Sequence, residues 1–192
     1  MILLLIVISL VAIPFDMAIM RAVTSHRIPI INMFMMYYTM YGNYVFALIE
    51  GLILLRLKNR RFRNFLYLVL NSYFGWFIAD RIVAAIKNIV RRPRPYIQDS
   101  SITPIVTAGG FSFPSGHSSA AWALTVPFIL TARSRLIKLV LILFAILMSF
   151  SRVYCGVHFL SDIIFGGYIG YVVSKSIFEN ITAKKLSAIG NT

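Results

Sequence analysis

Three short clusters set cations and histidines into an otherwise apolar chain. Lys87, Arg91, Arg92 and Arg94 crowd a stretch that ends at Pro95; Pro114, Ser115, Gly116 and His117 follow; Ser151, Arg152, His158 and Asp162 close the set. Charge placed among apolar residues is costly, so such groups mark a candidate functional centre. Arginine offers a planar fork that matches phosphate oxygens, and lysine adds a compact charge. Lys87, Arg94 and Arg152 gathered at one point would bind a tetrahedral oxyanion. Ser115 suits a helix N-cap, Gly116 lets a ligand approach backbone closely, and the helix start behind them favours phosphate. His158 and Asp162 are spaced i, i+4 and share a helix face. A carboxylate accepting from one imidazole nitrogen fixes the tautomer and leaves the other free as a nucleophile. His117, on a different segment, is the candidate to protonate a leaving oxygen, a role worth ~10²–10⁴-fold.

The elements that must position these residues are membrane helices. The chain has 192 residues, 59% of them hydrophobic, with a mean hydropathy of +0.80, too apolar for an ordinary soluble domain. Its length suits a single domain, 1–192, divided here into 1–37, a catalytic bundle 38–178 and a tail 179–192. Six apolar segments stand out, roughly Ile2–Phe15, Tyr38–Leu55, Phe65–Val83, Ser118–Thr131, Leu136–Phe150 and Phe159–Phe178. A spanning helix needs about 20 residues, yet only 15 uncharged residues separate His117 from Arg133. The helices therefore reach full length by including His117, Arg152 and Asp162 at one end. Met1–Ile13 lacks a basic start and a small-residue cleavage site, and reads as a retained membrane segment. In Asp16–Phe34 apolar and charged residues alternate, as in an amphipathic segment lying in the interface. The expected fold is an all-α integral membrane protein: a six-transmembrane-helix bundle with an N-terminal interfacial amphipathic segment.

Orientation follows from lysine and arginine in the short loops. Arg56, Lys58, Arg60, Arg61 and Arg63 lie between the second and third segments, Arg133, Arg135 and Lys138 between the fourth and fifth, and Lys175, Lys184 and Lys185 near the C-terminus. With even numbers of spans between them, these regions share the cytoplasmic side. All three clusters then face the opposite side. The net charge of +13 points to anionic lipid head groups rather than nucleic acid, since most of the surface faces lipid. A single cysteine, Cys155, excludes an internal disulfide.

The pattern Lys-x6-Arg-Pro, Pro-Ser-Gly-His and Ser-Arg-x5-His-x3-Asp, complete and in order over Lys87–Asp162, resembles the type 2 phosphatidic acid phosphatase superfamily of membrane lipid phosphatases. The resemblance implies a six-helix bundle and metal-independent phosphate hydrolysis through a phosphohistidine, with no cofactor. It implies His158 as nucleophile, Asp162 as its orienting partner and His117 as acid. Lys87, Arg94, Ser115, Gly116 and Arg152 would hold the phosphate. Thr39 and Gly42 are similar to a weaker pattern of the same family.

The expected function is a lipid phosphatase of the bacterial inner membrane with its site facing the periplasm, acting on lipid A, phosphatidylglycerol phosphate, undecaprenyl diphosphate or phosphatidic acid. Its partners are the lipid substrate and the membrane, with no nucleic acid and no obligate protein. The alternatives are a lipid phosphotransferase with the same phosphohistidine, or a non-catalytic anionic-lipid binder or transporter. Arg91 and Arg92 are expected to meet a head group or anionic lipid. Asp80 is expected to pair with Arg81 or Lys87, and Gly166, Gly167 and Gly170 to allow close helix packing.

Overall fold

A computed structural model describes residues 12–190, with side chains to residue 182. The first apolar segment lies outside the described residues up to Val11; its end, Ile13–Phe15, is a single 3-10 turn. All regular structure among the described residues is helical. The helices are α1 (Asp16–Ser25), α2 (Pro29–Arg56), α3 (Asn59–Val90), α4 (Pro95–Gln98), α5 (Gly116–Thr131), α6 (Arg135–Tyr154) and α7 (Leu160–Gly190).

The helix boundaries follow local chemistry. Pro29 opens α2 where a missing N–H costs nothing. Arg91 ends α3 in the left-handed region at φ 50°, its N–H still donating to Lys87 O, because Pro93 bars the helix from continuing. That turn throws Arg92 and Arg94 back across the end of the bundle. Ser115 and Ser134 cap α5 and α6, each accepting from the N–H three residues on.

Long, apolar and mostly uncovered helices form the outside. Among the described residues, three stretches are long and apolar enough to cross a membrane: α2, Asn59–Gln98 and α6. Only 17% of the apolar window of α2 is buried, and Leu48, Leu52 and Leu55 stand exposed along it. An apolar face of that extent needs an apolar solvent. At 16 residues, α5 is about 24 Å long, short of the ~30 Å hydrocarbon layer. It lies instead at the centre, packed on α3, α6 and α7, and its Ser118–Val126 stretch is almost wholly buried.

The structure divides the segment Asp16–Phe34. Pro29–Phe34 already belongs to α2, which starts there rather than at Tyr38. In α1, Met20 is fully buried against Ile102, Val153, Phe159 and Ile163, so this helix packs on the 150s and 160s of its own chain. Its apolar stripe therefore has a protein partner, a choice that periodicity cannot make.

The closest helix approach is that of α7 to α5. A Cβ on Gly166 would stand 2.3 Å from Ser115 O, and one on Gly170 2.1 Å from Ser119 O. Backbone thus meets backbone, and the start of α5 is pressed onto the start of α7. Gly170→Ala is expected to destabilise the fold by about 1–3 kcal/mol through overpacking. Gly51→Ala, where nothing lies within 4 Å, should be neutral or stabilising by up to about 1 kcal/mol. Thermal unfolding of the two variants in detergent checks the contrast.

Candidate active site

Four helix ends meet at one end of the bundle: the C-terminal ends of α3 and α6 and the N-terminal ends of α5 and α7. His158 sits in the short link between α6 and α7. Its backbone N–H, like that of Val157, donates to Arg152 O, at 3.3 and 3.1 Å. Gly156 makes that tight turn at φ 78°, where a Cβ would stand 2.7 Å from Arg27 Nη2. The His158 imidazole is 2% exposed. Its Nδ1 stands 3.4 Å from Asp162 Oδ2, while Nε2 stands 3.2 Å from Arg94 Nη1. One nitrogen therefore faces the carboxylate and the other faces a cation. Burial pushes the imidazole pKa down to about 4, against the opposing pull of Asp162.

Asp162 is fully buried and closely held. Its Oδ2 accepts from Phe159 N–H at 2.9 Å and from the Ser112 hydroxyl. Its Oδ1 accepts from Arg92 Nη1 at 2.8 Å. Its own carbonyl accepts from Ser115 N–H at 3.0 Å, which ties the Pro-Ser-Gly-His turn directly to α7.

The cations are aimed by acceptors. Arg94 donates to the carbonyls of Gly109 (2.6 Å), Gly110 (3.0 Å) and Val157 (2.8 Å). Lys87 Nζ donates to Phe111 O at 2.7 Å and Ser112 O at 3.2 Å. Arg152, 5% exposed, donates from Nη1 to Thr39 Oγ1 at 2.7 Å. Its Nε is buried without a hydrogen-bond partner among the described residues. His117 lies within coulombic range of His158, Arg152, Arg94 and Lys87. With Gly116 it lines a cleft of about 420 Å³ between α2, α3 and α5. All eight residues singled out in the sequence thus gather at this one end. Among the described residues no three of His, Cys, Asp and Glu group in a way that could hold a metal ion.

Arg92 departs from expectation. Rather than reaching toward lipid, it donates through Nη1 to Asp162 and to Ser161 Oγ at 2.7 Å, and through Nη2 to Asp16 at 2.8 Å. Its guanidinium stacks 4.0 Å over the Phe159 ring. Asp16 is 2% exposed and also accepts from Ser161 N–H at 2.9 Å. Two buried carboxylates need a cation, and Arg92 is the one within reach. The Arg91 side chain, by contrast, donates to Asn88 O in its own helix, and Asp80 pairs with Arg81 rather than Lys87. Asp16, Arg92, Ser112 and Ser161 are the site residues that sequence reasoning left out or misread, while Thr39, noted only for a weak family pattern, proves to be the partner of Arg152. The signal available for Asp16 was its rarity, as one of 6 acids facing 19 bases.

The pattern that defines the PAP2 superfamily matches residues 63–185, and the chain belongs to that superfamily. Among curated relatives, the lipid A 4'-phosphatase of Bacteroides thetaiotaomicron is 28% identical over 57% of each chain. The undecaprenyl-diphosphatase BcrC of Bacillus subtilis is 27% identical over 81% of this chain and 77% of its own. Phosphatidylglycerophosphatase B of Bacillus subtilis is 32% identical over 50% of each. The chain thus spans little more than half the length of the first relative and half that of the third. Two crystal structures share the fold. Aquifex aeolicus LpxE superposes with a TM-score of 0.74 over 86% of this chain and 95% of its own, at 22% identity. The PAP2-type phosphatidylglycerolphosphate phosphatase of Bacillus subtilis gives 0.71 over 95% and 96%, at 24% identity.

Two outcomes follow from this geometry. Arg92→Ala leaves Asp16 and Asp162 buried without their cation and should cost about 3–5 kcal/mol. Arg91→Ala should stay within about 0.5 kcal/mol; chemical denaturation in detergent compares them. His158 should remain neutral at pH 5.5, where an unperturbed imidazole of pKa ~6.5 is mostly charged. Folding then favours the proton-free form, so His158 contributes stability that is complete above pH ~6.5 and fades toward pH 4 as the unfolded chain takes up the proton. Imidazole ¹⁵N chemical shifts across that range measure the titration.

Proposed function

We propose that this protein is an integral membrane phosphatase that removes a terminal phosphate from a lipid. The observation that carries the proposal is the charge arrangement around His158. Arg94 stands beside its Nε2, Arg152 acts on the same imidazole and Lys87 on both arginines, and Asp162, the acid beside them, is already engaged by Arg92. That leaves a surplus of positive charge around one point, with an unpaired donor on Arg152, which a phosphate dianion satisfies.

The proposed reaction has two steps. His158 Nε2 attacks phosphorus, the bond from phosphorus to the leaving oxygen breaks, and His117 gives its proton to that oxygen. Asp162 stabilises the positive charge on the imidazole through Nδ1. Water then attacks the phosphohistidine, His117 takes up the water's proton, the N–P bond breaks and inorganic phosphate leaves. The cations stabilise charge on the transferring group in both steps, often the largest catalytic term. Ser115 and Gly116 add the N–H groups at the start of α5. No metal is required in this scheme, because side chains supply the positive charge.

The same reading keeps the six-span layout expected from sequence, with α1 near the membrane surface beside the site. The basic links at Arg56–Arg63 and Arg133–Lys138 face the cytoplasm of a bacterial inner membrane, and the site faces outward. The named activities of the relatives make lipid A, phosphatidylglycerol phosphate and undecaprenyl diphosphate the candidate substrates.

The purified protein is expected to release inorganic phosphate from lipid with EDTA present. Rapid quench with ³²P-labelled lipid should trap an acid-labile phosphoenzyme that His158→Ala cannot form. His117→Ala should lower turnover by ~10²–10⁴-fold. Labelled phosphate appearing on a second lipid rather than in water would make the protein a transferase instead.

A further inference from the structure

Resting on that reading, the structure also bears on which alcohol leaves. An acid must touch the oxygen that departs. His117 faces the cleft between α2, α3 and α5, whereas Lys87, Arg94, Arg152 and His158 do not line it. The transferred phosphate therefore meets the cations directly, while the leaving group meets a lining in which the nearest of them, Arg152, stands behind the Thr39 hydroxyl it bonds. Along the cleft stand Asn43, Tyr44, Tyr73 and Asp80 among apolar neighbours, with no lysine or arginine in the lining. Asn43 Oδ1 is buried without a hydrogen-bond partner among the described residues, an unanswered acceptor on a residue that lines the cleft. Asp80 supplies a second acceptor. Its ion-pair partner Arg81 leans over the Phe77 ring at 5.8 Å, and neither Arg81 nor Phe77 reaches the cleft lining.

These groups suit one kind of leaving group and oppose another. A hydroxyl-bearing alcohol, glycerol or sugar, donates to Asn43 and Asp80 and departs as an uncharged hydroxyl; the phosphodiester that phosphatidylglycerol keeps lies a glycerol's length farther away. A prenyl diphosphate departs as a second phosphate, carrying about −1.5 to −2 charge, into a cleft that offers a carboxylate and no cation. Like charges at such separation repel by an amount that the partly dry surroundings enlarge. We propose that the cleft is a head-group site selecting phosphate monoesters of a hydroxyl-bearing alcohol over diphosphates, with Asn43 and Asp80 as its specificity-determining residues.

The test is kcat/KM for phosphate release by the full chain in mixed micelles from three lipids: phosphatidylglycerol phosphate, lipid A and undecaprenyl diphosphate. One or both monoesters should exceed the diphosphate by about tenfold or more, equivalent to ~1.4 kcal/mol, and the better of the two identifies glycerol or sugar as the head group. Asn43→Ala should raise KM for that monoester with kcat unchanged and leave the diphosphate unaffected. Asp80→Lys should raise diphosphate turnover and lower that of the monoester, a reversal that general unfolding cannot produce. Equal or faster diphosphate turnover by the parent, or a ratio that neither variant moves, overturns the head-group site while the phosphatase reading stands. No phosphate from any of the three lipids overturns both.

Discussion

The structure turns on a carboxylate that has no business in an apolar interior unless its charge is answered. Asp162 is fully buried at the head of α7, and each contact that answers its charge joins a different part of the chain. Arg92 brings in the end of α3, Ser112 the long loop, Phe159 N–H the α6–α7 link and, through Arg92, Asp16 brings in α1. Removing any one leaves charge or a donor stranded at low dielectric, so the cluster is held together by the cost of its alternatives. Its consequence for chemistry is local. The proposed nucleophile presents Nδ1 to a carboxylate that cannot swing away and Nε2 to the cation on the other side.

Helix geometry supplies the second constraint. Gly166 and Gly170 bring α7 so near α5 that Ser115 N–H reaches the carbonyl of Asp162. The Pro-Ser-Gly-His turn is thereby placed by backbone contact, which side-chain motion does not blur. Because α5 is short and central, its N-terminus lies within the ring of longer helices. That recess lets three cations gather, since each is aimed by a carbonyl or hydroxyl and the surplus charge awaits an anion. It also sets His117 between the basic cluster and a cleft whose lining holds no lysine or arginine.

Much of the site was legible because its chemistry demands particular residue types at fixed spacings. Lys87 and Arg94, His158 and Asp162, and the cap at Ser115 are local relations, and helix periodicity with capping rules reads them directly. The site-side ends of α5, α6 and α7 followed similarly, since His117, Arg152 and Asp162 fall within them, although α5 stops at 16 residues and α7 runs past Phe178 to Gly190. Asp16 and Arg92 were not legible. Asp16 meets Ser161 across 145 positions and Arg92 across 76, and Thr39 meets Arg152 across 113. An acid at the head of an amphipathic stretch looks the same whether it faces water or a buried arginine, and an arginine beside an interface looks the same whether it faces lipid or an aspartate.

The amino-acid sequence alone determined the class of the molecule: helical, apolar outside, with a set of cations and a histidine–aspartate pair at fixed spacings. Hydropathy, period and residue chemistry are properties of neighbours along the chain, and they need no fold to be read. Only the tertiary structure decided that α1 belongs to the site, that Arg92 answers two carboxylates, which imidazole nitrogen faces Arg94, and that the cleft beside His117 carries no lysine or arginine. Those facts depend on distances between residues far apart in sequence, which are set when the glycine face of α7 closes on α5 and buried charges must find partners across the bundle.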